Sequence, residues 1–179
     1  MDARMDADGT LEQVGDRWRI RFARRLAHPP EKVWRAITEA EHIAAWFPST
    51  IEGERVTGAK LRFDFSDDPN APEGTVMDGE MLAVEPPRLL AFLWGEDELR
   101  FELAPDGDGT VLTFTDTFDE QGRAARDAAG WHVCLLLLGH EVDGTDPPAS
   151  SEDLWAQVHP GYVAAFGPQA ATIGPPGKD

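Results

Sequence analysis

From Thr10 to Phe118 apolar residues recur mainly at every second position, and beyond Arg123 at every third or fourth. The first period is that of strands with one buried face, the second that of helices. Trp18, Ile20 and Phe22 alternate with Arg17, Arg19 and Arg21, within a strand predicted over Thr10–Ala27 with a turn or bulge at Gly15-Asp16. His28-Pro29-Pro30 stops it, because proline donates nothing to a ladder, and Pro30 suits a first helical turn. Two short helices follow. Glu31–Thr38 turns Val33, Trp34 and Ile37 inward, and Glu39–Phe47 does the same with Ile43, Trp46 and Phe47 before Pro48 ends it.

The next stretch reads as an antiparallel meander. Leu61, Phe63 and Phe65 share a face. Asp67–Gly74 is a loop. Thr75–Val84 is a strand turned by Pro86-Pro87, and Arg88–Trp94 returns with Leu90, Phe92 and Trp94 on one side. Leu99, Phe101 and Leu103 alternate with Arg100 and Glu102. Asp106-Gly107-Asp108-Gly109 marks a hairpin, and Thr110–Phe118 aligns Leu112, Phe114, Asp116 and Phe118.

Arg123–Glu141 is the longest helical pattern. Ala124, Ala128, Trp131, Leu135 and Leu138 form its stripe, and Arg126 and Asp127 mark a wet side near its start. Leu135–Leu138 is apolar nearly all round, which predicts burial on more than one side. At ~1.5 Å per residue such a helix spans roughly 30 Å, about the width of six or seven strands at ~4.8 Å. The fold class is therefore α+β, a curved antiparallel sheet of six or seven strands around one long helix, with two short helices after the first strand. A further helical pattern over Glu152–Phe166 contains Pro160, which predicts a break near His159. The expected organisation is a disordered tail at 1–9, a domain at 10–144, a helical extension packed on it at 145–170, and a disordered tail at 171–179.

Three pieces in this order resemble the SRPBCC superfamily of START-like, helix-grip proteins: AHPPEKVWRAITEAEHIAAWFP at Ala27–Pro48, GEMLAVEPPRLLAFLW at Gly79–Trp94, and GTVLTFTDTF followed by GWHVCLLLL at Gly130–Leu138. The pattern covers about Arg17–Gly144 and is most similar to the branch named after the C-terminal domain of the activator of heat-shock protein 90 ATPase. The resemblance implies a cavity between sheet and helix, binding of apolar or amphipathic molecules there, and in some members cyclase-type chemistry.

The totals narrow the function classes. The net charge of −17 over 179 residues opposes nucleic acids and anionic membranes, which need clustered Lys and Arg. No stretch is long enough to span a bilayer and none resembles a signal peptide, so the expected location is cytoplasmic. Cys134 is the single cysteine and lies in the apolar helix, as a small buried residue rather than a nucleophile. His140, Glu141 and Asp143 lack chelating spacing, and no Gly-rich phosphate loop follows a strand, so neither metal nor cofactor is expected.

Candidate ligand-binding residues are Trp46, Phe63, Phe65, Phe92, Trp94, Phe101, Phe114, Asp116, Trp131, His132 and Leu135. The rings line a cavity or, alternatively, fill the core. The parity of Asp116 with Phe114 and Phe118 turns it toward the helix, where a carboxylate must find partners or hold a proton. His132 follows Trp131 and could project inward as a proton shuttle or a structural histidine. The leading reading is a binding protein for a hydrophobic small molecule. A cofactor-independent cyclase or dehydratase using Asp116 and His132 is the second reading, and a module contacting a chaperone is the third. A homodimer is compatible with each.

Overall fold

A computed structural model describes residues 7–174. The strands are β1 (Thr10–Val14), β2 (Arg17–Leu26), β3 (Lys60–Asp64), β4 (Val76–Glu85), β5 (Leu89–Trp94), β6 (Asp97–Asp106) and β7 (Gly109–Phe118). The helices are α1 (Pro30–Thr38), α2 (Ala40–Trp46), α3 (Ala124–Asp143) and α4 (Ser151–Phe166). All seven strands form one antiparallel sheet in the order β1-β2-β7-β6-β5-β4-β3. The stretch predicted as one strand from Thr10 is a hairpin, because Gly15 adopts φ 61° and reverses the chain at Gly15-Asp16.

One face of the sheet is apolar by parity. It carries Ile20 and Phe22 of β2, Phe114 of β7, Phe101 of β6, Phe92 of β5 and Phe63 of β3, each at most 1% exposed. Gly79 of β4 lets Phe63 lie close, since a Cβ there would stand 2.6 Å from the Phe63 ring and 1.9 Å from the Leu93 carbonyl oxygen. The α3 stripe of Ala124, Ala128, Trp131, Leu135 and Leu138 is buried over this face. A left-handed Gly144, φ 70°, ends α3, with Gly144 N–H donating to Glu141 O and Thr145 N–H to His140 O.

The second side of α3 is covered by α4, which explains the all-round apolar sequence. Leu154, Val158 and Tyr162 of α4 are buried, as are Ala125, Ala129, Val133 and Leu136 of α3. The Trp155 indole donates to the Arg126 carbonyl at 3.2 Å. The predicted break at Pro160 does not occur, and α4 runs through it. Pro160 and Ala156 are both exposed, so the carbonyl deprived of its donor faces water. Ser150 caps this helix by accepting from Asp153 N–H at 3.1 Å.

The expected tails are partly held. Gly9 N–H donates to Tyr162 Oη at 3.2 Å, and Arg24 makes two 2.9 Å bonds to the Asp8 carboxylate. At the other end Ile173 N–H donates to Gly122 O at 3.0 Å. The rest of the two predicted tails, residues 1–6 and 175–179, lies outside the described residues. No helix among the described residues is long and apolar enough to cross a membrane.

Candidate functional site

The two short helices close one end of the sheet–helix interface. The Trp46 indole donates to Ala36 O at 2.9 Å, which fixes the angle between α1 and α2. That places Trp46 against Phe101 (centroids 5.9 Å apart) and Phe47 against Phe92, Trp94 and Trp131 at 6.1, 5.9 and 5.7 Å.

The predicted aromatic residues come together around Trp131. Ring contacts run from Phe63 to Phe92 (5.9 Å), Phe92 to Phe101 (6.1 Å), Phe101 to Phe114 (4.9 Å), Phe114 to Trp131 (5.0 Å), Trp131 to Trp94 (5.3 Å) and Trp94 to Phe65 (5.8 Å). Phe65 and Trp94 are half-buried and bring this chain of rings to the surface. Leu135 is buried one turn after Trp131. The rings touch one another, so in this state they occupy the space that the family resemblance assigned to a cavity. Two surface concavities lie elsewhere. One of about 720 Å³ runs between Pro29, Trp34, Pro86 and Pro87, and one of about 490 Å³ runs over Lys60, Leu61, Gly79 and Leu93.

A polar cluster closes the inner end of the ring chain. Asp116 is 0% exposed, and its Oδ2 accepts from the Trp131 indole at 2.9 Å. Its Oδ1 is buried with no donor among the described residues. Oxygens of Asp97, Asp116 and Asp127 lie within 4.8 Å of one another. Asp97, 6% exposed, accepts from Arg123 Nη2. Asp127 stands 3.1 Å from Arg123 Nε and accepts from Arg126 Nε at 2.9 Å. Arg123 also lies over the Phe118 ring at 5.0 Å.

Burial pushes the Asp116 carboxyl well above the usual carboxylate range, and the Asp97 charge pushes it further. Protonated, Asp116 becomes a donor with Asp97 as its acceptor. Burial also raises Asp127 against the pull of Arg126 and Arg123. Burial alone would lower the Arg123 guanidinium, but Asp127 and Asp97 more than offset it. Asp127 therefore does not mark a wet face, as its position near the start of α3 suggested. Arg123, expected as the first helical residue, is instead the N-cap of α3, and from there its side chain turns back to Asp127.

Asp116 and His132 are not brought together. His132 Nδ1 lies 2.6 Å from Tyr162 Oη and the ring packs edge-on against Phe22, on the side of α3 that faces α4. Successive helical residues diverge by about 100°, so a Trp131 that reaches Asp116 turns His132 elsewhere. Burial pushes the Cys134 thiol up to about 12, far from a thiolate at neutral pH. His140, Glu141 and Asp143 go to separate partners, Thr145, His42 and His28.

Sequence reasoning missed Phe47, Asp97, Arg123 and Asp127. Parity in the β6 strand could have flagged Asp97, which shares the face of Leu99 and Phe101. As a metal site the cluster is poor: two guanidiniums already bind two of the carboxylates, and a hard cation wants about six or more oxygens.

An antiparallel sheet laid across one long helix and closed by a pair of short ones is the helix-grip architecture. The sequence matches the Activator of Hsp90 ATPase homolog 1-like protein family over residues 27–142, and the chain belongs to that family. Among solved structures it is similar to a conserved protein of unknown function from Enterococcus faecalis, with TM-score 0.70 and 20% identity over 88% of this chain and 89% of that one. CalU16 from Micromonospora echinospora matches with TM-score 0.67 and 21% identity over 89% and 97%. A protein from Bordetella parapertussis is 30% identical over 80% and 84%, with TM-score 0.65. No curated protein matches the sequence at a significant level.

Proposed function

We propose that the protein binds an apolar or amphipathic small molecule where the ring chain meets the surface at Phe65 and Trp94. The guest parts Phe65, Trp94, Phe47 and Trp131 and directs its polar end to Asp116. One observation carries this reading: a fully buried carboxyl with one oxygen that no described residue donates to. A fully buried carboxyl that keeps its proton and gives it to Asp97 contributes little net stability, so a purely structural core would favour an apolar residue at that position. The half-buried Phe65 and Trp94 supply the route from solvent, and the family fold is commonly a ligand-binding one.

Because the rings touch, binding needs a rearrangement and reads as population shift toward an open state. Native mass spectrometry of the purified protein, followed by thermal denaturation with and without extracted ligand, tests this. The expected result is a bound species of small-molecule mass that raises Tm, as binding to the folded state alone requires. A protein that is always ligand-free, with a Tm unmoved by any apolar probe, would refute it.

A further inference from the structure

We infer that the guest carries a neutral hydrogen-bond acceptor, a ketone, ester or amide oxygen, and that the Trp94 indole N–H donates to it. The inference rests on the ligand-binding reading above. It names the chemical class of that ligand by a group distinct from the end that faces Asp116.

The first argument is an unmet donor. Trp94 is half-buried, yet its Nε1 is closed off from solvent and has no acceptor among the described residues. Three other indoles are bonded: Trp46 to Ala36 O, Trp131 to Asp116 Oδ2 and Trp155 to Arg126 O. A buried indole N–H usually finds such a partner. The rings around Trp94, those of Phe47, Phe65 and Trp131, offer at most an N–H···π contact, which is second-order beside a hydrogen bond.

The second argument is Ser49, which is 7% exposed and whose Oγ is also buried without a partner among the described residues. It follows by two residues Phe47, whose ring lies 5.9 Å from that of Trp94. The next residue, Thr50, is bonded to Asp64 in both directions. Thr50 N–H donates to Asp64 O at 3.0 Å, and Thr50 Oγ1 accepts from Asp64 N–H at 3.2 Å. Asp64 precedes Phe65, whose ring lies 5.8 Å from that of Trp94. The segment carrying Ser49 is thus tied at both ends to neighbours of Trp94. Two buried polar groups without partners belong to the same mouth.

Polarity and charge select the group. An indole N–H only donates, so the guest must accept there, which excludes an ammonium. Trp94 stands opposite Asp97 in the β5–β6 register, on the same face of the sheet. An anionic acceptor would bring like charge beside that buried carboxyl, in a chain of net charge −17. A neutral oxygen meets the donor without that cost.

Isothermal titration of the full chain with 2-acetonaphthone, 2-isopropenylnaphthalene and 2-naphthoate tests this. The second probe puts a methylene where the ketone has its oxygen. Trp94→Phe keeps a ring and removes the N–H, so the ketone-to-hydrocarbon affinity ratio should fall about threefold or more, the worth of one neutral hydrogen bond. The acid should bind more weakly than the ketone. Infrared difference spectra should place the carbonyl stretch of the bound ketone below its position in an apolar solvent, a readout that stands even if the variant folds poorly. An unchanged ratio in Trp94→Phe, an unshifted carbonyl, or acid binding as tightly as ketone would overturn the inference while leaving the ligand-binding reading intact. No binding of any of the three would remove both.

Discussion

At Asp116 one oxygen accepts from Trp131 and the other meets Asp97, which no neighbouring donor bridges, so Asp116 keeps a proton of its own for that contact. Its folded pKa lies well above the ordinary 3.8. From about pH 4 up to that raised value, the folded protein keeps a proton that the unfolded chain has released. Its contribution to stability is therefore lost progressively as pH rises through that window. The amide introduced by Asp116→Asn would have no such slope and could donate to Asp97. The Tm of Asp116→Asn minus that of wild type should grow between about pH 5 and about pH 8. A difference that stays flat would show that Asp116 is ionised in the fold. Trp131→Phe keeps an aromatic ring but removes the indole donor to Asp116, and should cost about 1–3 kcal/mol in urea denaturation. The parity of Phe114, Asp116 and Phe118 made the inward turn of Asp116 legible in the sequence. Its neighbours were not legible, because the convergence of Asp97, Asp127 and Arg123 depends on the β6–β7 register and the rotation of α3. Neither is set by residues near them in the chain.

The helix α3 is sandwiched, and each face does different work. Trp131 and Leu135 meet the sheet, while His132 meets α4 through Tyr162 Oη, which also accepts from Gly9 N–H. Tyr162→Phe removes both bonds while preserving the ring contacts to Phe22 and Phe166. It should lower stability by about 1–3 kcal/mol and speed amide hydrogen exchange at Gly9. Unchanged protection at Gly9 would mean that the segment is held by Asp8 and Arg24 instead. The long helix and its two-sided burial were readable from Leu135–Leu138. A helical extension was expected to pack on the domain, but its continuity and the α3 face it covers were not readable, since Pro160 argued for a broken α4. Periodicity locates a helix, but whether a proline interrupts it depends on which way Ala156 faces, a property of the packed whole.

At the scale of the molecule, a sheet of seven strands, one long helix and a V of short helices bring residues from Trp46 to Leu135 around a single aromatic centre. The sequence order of strands and helices, with its three family-like pieces, made this architecture legible. It could not show whether the rings would stand apart or touch. That depends on ångström-scale volumes, and phenylalanines on neighbouring strands suit a wall and a filled core equally well. Here they touch, so the ligand-binding reading requires rings that yield. The chain holds six tryptophans, and each indole N–H gives its own NMR signal. Titrating 2-naphthylmethanol into nitrogen-15-labelled protein should shift the Trp94 and Trp131 indoles most, with Trp34, beside Pro86 and Pro87, and Trp155, bonded to Arg126 O, little changed. Shifts confined to Trp34 or Trp155, or no shifts at saturating probe, would contradict a binding site at the sheet–helix interface.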